Sequence, residues 1–266
     1  MLRSYDSIED FSRAAKDASQ YDNGSASDWY GNETFEQSLE GCFKGDERLI
    51  SEADKLLEKI DGESLETTAH KWVPSPQGAF VCVPDYLNNS PFAMRNRKKL
   101  VSDLSPIKIY IATTCSSALG SKTMLKRGIA ALALLRKLES LRPVQLFLTG
   151  ELHGKYDGIC LQVIRVESQP INMSVACYAL AHVAFARHLS YSLARKTDGF
   201  NGYWPTMHEM NSDGRMTENY NNFIRQQLGL EPQDIYIPSA HVYDLMLTNP
   251  VAWVNRTVNE ACNIQD

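Results

Sequence analysis

A chain of 266 residues, with 43% hydrophobic and 22% charged side chains, suits one large domain or one domain with a smaller appendage, and it can bury a sizeable core. Its formal charge of -5 excludes bulk electrostatic attachment to DNA or to an anionic membrane, although a local basic patch remains compatible with it. The longest apolar stretch, Gly128 to Leu135, is far too short to cross a bilayer, and the opening residues show no run resembling a signal peptide.

Residues 1–27 are polar, with a short helix expected near Ile8–Ala18, where Ile8, Phe11 and Ala15 share a face. Residues 34–60 read as two helices. Thr34 caps the first, and Leu49, Ala53, Leu56 and Ile60 line the second up to Asp61-Gly62. Residues 71–87 alternate as strands do, and Asn88 to Ser105 reads as a polar connector with a basic cluster, Arg95, Arg97, Lys98 and Lys99.

The clearest pattern begins at Ile107. Ile107–Thr113 is a β-branched apolar run, as a buried strand requires. A small polar loop, Thr114–Gly120, leads to a helix from Ser121 to about Leu141, which Pro143 stops. Val144–Thr149 and Gly158–Val166 are strands, and Ser174 to about Leu193 is an apolar helix. Gly199–Arg215 is a long irregular segment, Asn219–Leu228 a helix and Asp234–Pro238 a short strand. Val242–Cys262 is helical and interrupted at Pro250. Strands alternating with helices imply a parallel or mixed sheet covered on both faces.

The strand-loop-helix unit Ile107–Leu141, followed at once by Val144–Thr149, resembles the opening of a von Willebrand factor A domain of the bacterial, intracellular branch. That family carries Asp-x-Ser-x-Ser after the first strand and an Asp-Gly after the fourth, which together hold a divalent metal. Here the loop reads Thr113-Thr114-Cys115-Ser116-Ser117, and Ile237 is followed by Pro238-Ser239. A hard cation needs carboxylate oxygens, so the resemblance implies this fold without a metal or other cofactor. Farther upstream, Trp29-x-Gly31-x-x-Thr34-Phe35-Glu36 and Val83-Pro84-x-Tyr86-Leu87-x-x-x-Pro91-x-x-Met94 resemble a group of uncharacterised phage and mobile-element proteins. That resemblance implies a viral accessory role and brings no catalytic residue.

The Thr114–Lys122 loop sits where open α/β sheets bind ligands, at a strand end and a helix N-terminus that favours anions. Thr114, Cys115, Ser116, Ser117 and Lys122 are therefore the candidate contacts for a ligand or partner, with helix capping as the plainer reading. Gly120-Ser-Lys122-Thr123 lacks the first glycine of a phosphate loop. None of the six histidines has a partner at metal-ligand spacing, and the cysteines show no C-x-x-C, so no metal is expected and a reducing cytoplasm fits best. Glu151, His153 and Asp157 read as a polar hairpin between strands. Phe92 beside Arg95, Arg97, Lys98 and Lys99 could hold single-stranded nucleic acid by stacking and phosphate contact, and a solvated connector is the plainer reading.

The expected architecture is α/β: a Rossmann-like, von Willebrand factor A-like mixed sheet with helices on both faces, plus a small helical/β N-terminal region. The expected boundaries are a flexible segment 1–27, a subdomain 28–104 and the α/β domain 105–266. The expected function is non-enzymatic. It is an accessory protein, phage-encoded and cytoplasmic (host cytoplasm if viral), that binds a protein partner through the loops at the carboxyl ends of its strands, with no membrane contact. The alternative is a single-stranded nucleic-acid-binding factor in viral transcription or replication. A third reading, a cysteine-dependent enzyme, would need a depressed thiol pKa at Cys115.

Overall fold

The computed structural model describes residues 2–22, 24–62, 71–76, 80–81, 83–88, 90–98, 106–115, 119–141, 143–153, 159–166, 171–196, 218–239 and 244–263. The chain divides into two compact units. The first joins Met1–Ile60 to Pro106–Asp266, and the second is Asp61–Ser105.

The first unit is built on a five-stranded sheet. Its strands are β1 (Leu2–Tyr5), β5 (Ile107–Ala112), β6 (Val144–His153), β7 (Ile159–Val166) and β8 (Ile235–Ile237), in the order β1-β7-β6-β5-β8. β5 lies parallel to both β6 and β8, β7 runs antiparallel to β6, and β1 is parallel to β7. Ile109, Ile111, Leu146, Leu148 and Ile164 occupy one face set and are all fully buried. On that side Leu152 and Cys160 pack with Tyr191 and Ala194 of a helix, α7 (Tyr191–Lys196). On the opposite side Leu161 packs with Tyr220 and Ile224 of α8 (Glu218–Gln227). The sheet is thus mixed and covered by helices on both faces, as the alternating pattern led one to expect.

The helix that follows β5, α5 (Ser121–Leu141), has a continuous buried run from Ala130 to Leu135, because it is packed nearly all round. It lies against α6 (Met173–Ala181) so closely that a Cβ at Gly128 would collide with Ala181. The single apolar helix expected over 174–193 is instead broken. His182 caps α6 in an extended conformation (φ -97°, ψ 121°), and Phe185–Ser190 follows as a wider, π-helical turn leading into α7. Two further helices, α9 (Leu245–Thr248) and α10 (Pro250–Asn263), close the described chain. Pro250 opens α10 at the one helical position where its missing N–H costs nothing.

The N-terminal boundary is corrected. Residues 1–27 are not a loose segment. β1 completes the sheet, and α1 (Ile8–Lys16) buries Phe11 against Phe185, ring centroids 5.1 Å apart. Residues 28–60 also belong to the sheet-bearing unit, through α2 (Phe35–Lys44) and α3 (Arg48–Gly62). Thr34 caps α2 in a full capping box. Its hydroxyl accepts from Gln37 N at 3.2 Å, and the Gln37 amide oxygen accepts from Thr34 N at 2.8 Å. Gly45 turns the chain at φ +69°, a conformation that favours glycine, and a Cβ there would strike the Ser174 backbone.

The second unit holds β2 (Lys71–Ser75), β3 (Phe80–Val81), α4 (Val83–Leu87) and β4 (Met94–Lys98), with the antiparallel order β2-β4-β3. Two expectations are corrected here. Val83–Leu87 is helical rather than extended, and the supposed connector contains the central strand of this sheet. A run such as Met-Arg-Asn-Arg-Lys looks like a solvated linker until its two neighbours supply the ladder.

Candidate functional site

The carboxyl ends of β5, β6 and β8 converge on one carboxylate, Glu151. β6 extends through His153, so Glu151 lies inside the strand opposite Leu161 and not in a polar hairpin. Its side chain is fully buried. Tyr236 donates to Oε1 at 2.5 Å, Ser239 to Oε2 at 3.1 Å, Thr149 to Oε1 at 3.3 Å and Tyr220 to Oε2 at 3.4 Å. Burial raises the carboxyl above its usual range, and the donors and the Arg127 charge offset that only in part. Ser239 also meets Thr114, hydroxyl to hydroxyl, at 2.8 Å.

Two buried guanidinium groups bind backbone carbonyls at the end of β5 and just before α5. Arg127, from the first turns of α5, donates through Nη1 to the Ala112 carbonyl at 2.7 Å and through Nη2 to the Pro238 carbonyl at 2.9 Å. It thereby ties the end of β5 to the residue after β8. Arg187, from the π-helical turn, donates to the carbonyls of Trp29 (2.5 Å) and Leu119 (2.7 Å), and its guanidinium lies 3.8 Å from the Trp29 ring centre. Among the described residues the Nε–H of each arginine has no acceptor. A buried donor left in that state costs about 1–3 kcal/mol.

The sequence-derived candidates therefore separate. Thr114 and Cys115 are buried at 3% exposure and serve the interior, whereas Lys122 is exposed at the start of α5. Ser116 and Ser117 lie outside the described residues. Burial pushes the Cys115 thiol up despite Arg187 Nη2 at 3.6 Å, the opposite of the shift a nucleophilic thiol needs. Arg95, Arg97 and Lys98 fall on β4, Phe92 is half exposed just before it, and Lys99 lies outside the described residues. The long irregular segment expected over Gly199–Arg215 lies outside them too.

A divalent metal of the kind that von Willebrand factor A domains hold after their first strand does not fit these residues. The one carboxylate at the strand ends is already saturated with hydroxyl donors and closed to solvent. Among the described residues no group of three or more His, Cys, Asp or Glu side chains could hold a metal ion.

A second polar cluster was missed from the sequence. His182 Nδ1 donates to Glu33 Oε1 at 2.6 Å and Nε2 to Asp46 Oδ2 at 3.1 Å, while Tyr178 donates to Glu33 Oε2 at 2.5 Å. Burial opposes charge on His182, but the two carboxylates outweigh it and raise its pKa. Burial likewise opposes charge on Glu33, and the His182 and Tyr178 hydrogen bonds win, lowering its pKa. Arg48 is the main cause that holds Asp46 down at about 2, through Oδ contacts of 3.0 and 2.8 Å. Nearby, His188 donates from Nε2 to the Glu33 carbonyl at 2.9 Å, pairs with Asp22 at 3.1 Å and stacks on Tyr30 at 4.0 Å. These groups stand up to 166 residues apart in the chain, so no local spacing could announce them. The only local hint was Glu33 beside the helix cap Thr34.

Among the described residues no helix is long and apolar enough to cross a membrane. Comparison with curated proteins returned no match. Comparison with solved structures returned none either. A family model described as "Domain of unknown function (DUF7192)" matches residues 1–244, which takes in the second unit and every strand of the five-stranded sheet and stops before α9. The chain belongs to that family.

Proposed function

We propose that this protein is a non-enzymatic accessory factor that binds a macromolecular partner through the segments leaving the carboxyl ends of β5 and β8. The observation that carries the reading is the closed network around Glu151. The position where such a sheet would do chemistry is filled by its own hydroxyls, and two buried arginines hold the carbonyls of Ala112, Leu119 and Pro238 beside it. What such a crest offers a partner is a preorganised surface rather than a reactive group. The strand order, with β5 between β6 and β8 and an antiparallel β7, supports a von Willebrand factor A-like ancestry. A phage or mobile-element origin rests on the N-terminal resemblance alone.

The test uses two substitutions at exposed positions beside the loop. A Cβ on Gly120 meets nothing within 4 Å, so Gly120→Trp obstructs the surface without disturbing the fold, and Lys122→Glu reverses its charge. Affinity capture from host lysate, with nuclease, should recover a partner with the parent protein and lose it with both variants at unchanged thermal stability. Equal recovery with parent and variants sinks the reading.

One observation favours the nucleic-acid alternative. The register of the second unit pairs Arg97 with Trp72, and Arg95 with both Pro74 and Phe80, so two arginine and two aromatic positions belong to one face set of the small sheet. Lys98 pairs with Lys71 on the other set. Interleaved basic and aromatic positions suit a single strand held by stacking and phosphate contact. Binding to labelled oligodeoxythymidylate should fall with salt. Arg95→Ala with Arg97→Ala should flatten the log–log slope by about 1.4, from about 0.7 per phosphate contact. A slope that Lys98→Ala changes equally removes the face-specific version of this reading.

A further inference from the structure

β8 is the last strand in the sheet order, paired with β5 on one side only among the described residues. Its other edge lines a cleft of about 300 Å³, formed by the continuous run 232–238, by Arg225 of α8 and by α10. The helix contributes Trp253, Arg256, Thr257, Glu260 and Ala261, spaced as one helical face. A second cleft, of about 260 Å³, shares Ile237, Pro238, Trp253 and Arg256 with the first and continues past the carboxyl end of β8. Arg127 lines this second cleft, together with Asp244 and the apolar Leu245 and Met246.

We propose that this groove binds the free carboxyl end of an extended peptide, which adds as a strand along β8 and places its terminal carboxylate on Arg127. The inference rests on the reading that the strand ends contact a protein partner, and it names the part of the partner that is held. Four observations support it. An edge strand with a one-sided ladder is a template for another strand. The groove is walled on its far side by a helix, which admits a single extended chain. Arg127 already spends Nη1 and Nη2 on two carbonyls, and its Nε–H is a buried donor that lacks an acceptor. A carboxylate approaching side-on satisfies it. The walls beside Arg127, from Ile237, Leu245, Met246 and Trp253, suit an apolar last side chain.

Charge and direction narrow the occupant. Arg127 and Arg256 share this wall with Asp244, so it carries one positive charge in excess, which a single carboxylate balances and a doubly charged phosphate exceeds. The arginine stands at the carboxyl end of β8, so a peptide with its C-terminus there runs parallel to β8, as β8 runs to β5. Each cleft alone lies at or below the ~300–1,000 Å³ of pockets for drug-sized ligands, which favours a narrow chain over a bulky cofactor.

The experiment is fluorescence anisotropy with the full chain and a labelled hexapeptide of alternating threonine and valine that ends in a free leucine carboxylate. The same peptide ending in an amide is the control, and N-acetyl-leucine is the competitor. The acid should bind at least tenfold more tightly than the amide. Arg256→Glu, at a side chain 59% exposed in its ion pair with Glu260, should weaken the acid at least threefold and leave the amide unchanged. N-acetyl-leucine should compete at least tenfold more weakly than unlabelled acid peptide, because it cannot pair along β8. Acid and amide binding alike, or no binding at millimolar protein, overturns the proposal, as does competition by N-acetyl-leucine at peptide strength. If the peptide fails while partner capture still responds to Gly120→Trp, the groove is overturned and the strand-end reading stands. If the peptide binds while capture ignores Gly120→Trp, the groove stands and that reading falls.

Discussion

His182 joins two carboxylates from distant parts of the chain, and its protonation state governs that joint. Its pKa is raised above the ordinary 6.5, so the stability it supplies is complete below 6.5 and is lost as pH rises through the higher folded value. Glu33 and Asp46 are lowered, so their contributions are complete above their ordinary 4.5 and 3.8 and are lost only in stronger acid, for Asp46 near pH 2. The joint is therefore strongest between about pH 4.5 and 6.5. Urea unfolding should show stability declining from pH 6 to pH 8.5, and His182→Gln should remove most of that decline while costing about 1–3 kcal/mol at pH 6. Glu151 gives a second pH effect in the same direction, because burial raises a carboxyl that would otherwise ionise near 4.5. Glu151→Gln keeps a hydrogen-bonding group of the same shape. It should be more stable than the parent at pH 8 by on the order of 1 kcal/mol, with the advantage vanishing toward pH 4.5. A Gln variant that is less stable at pH 8 would show that the ionised carboxylate is well paired after all. Cysteine reactivity follows the same physics. Cys42 and Cys177 are pushed up to about 12 by burial, so iodoacetamide should label native protein slowly at both.

At the scale of elements, the packing of α5 on α6 depends on one missing side chain. Gly128→Ala improves helix propensity by about 1 kcal/mol in isolation. Here the added methyl meets the Ala181 backbone as well as its Cβ, so the variant should be destabilised by about 1–3 kcal/mol, as overpacked cores are. Differential scanning calorimetry decides the sign. Elements with a strong local signature were readable from the sequence: the β-branched run of β5, the Thr34 cap of α2, the stop at Pro143 after α5. Those whose identity comes from neighbours were not. β4 is polar and becomes a strand only between β2 and β3. β1 is short and half exposed, and only β7 makes it a strand. The break at His182 sits in a uniformly apolar stretch, where no periodicity distinguishes a continuous helix from a π-helical turn. The candidate site divides the same way. That Thr114 follows β5 and Lys122 lies in the first turn of α5 could be read from the strand-helix order, but Glu151, Arg127 and Arg187 act through contacts with carbonyls and hydroxyls that sequence spacing does not encode.

At the scale of the molecule, the sheet draws on both ends of the first unit while the second unit interrupts it between Ile60 and Pro106. Removing residues 1–6 should therefore act on the sheet and not as a trim. It strips the ladder from β7 and takes Tyr5 from Phe11, whose rings are 5.4 Å apart. A loss of about 2–4 kcal/mol in unfolding free energy is expected, from the core contacts and the unpaired edge together. Unchanged stability would mean that the strand only decorates the sheet. The pairing of Leu2 with Leu161 also imposes an order on manufacture. A ribosome adding about 5–20 residues per second needs roughly 10–30 s to pass from one partner to the other. For that time Leu2–Tyr5 have no ladder to join, and the amphipathic helix behind them has no Phe185 to cover Phe11. The nascent chain thus carries an open apolar face from the making of α1 until Phe185 is added, and a chaperone that holds such faces would bind over that stretch and let go once β7 and Phe185 are in place.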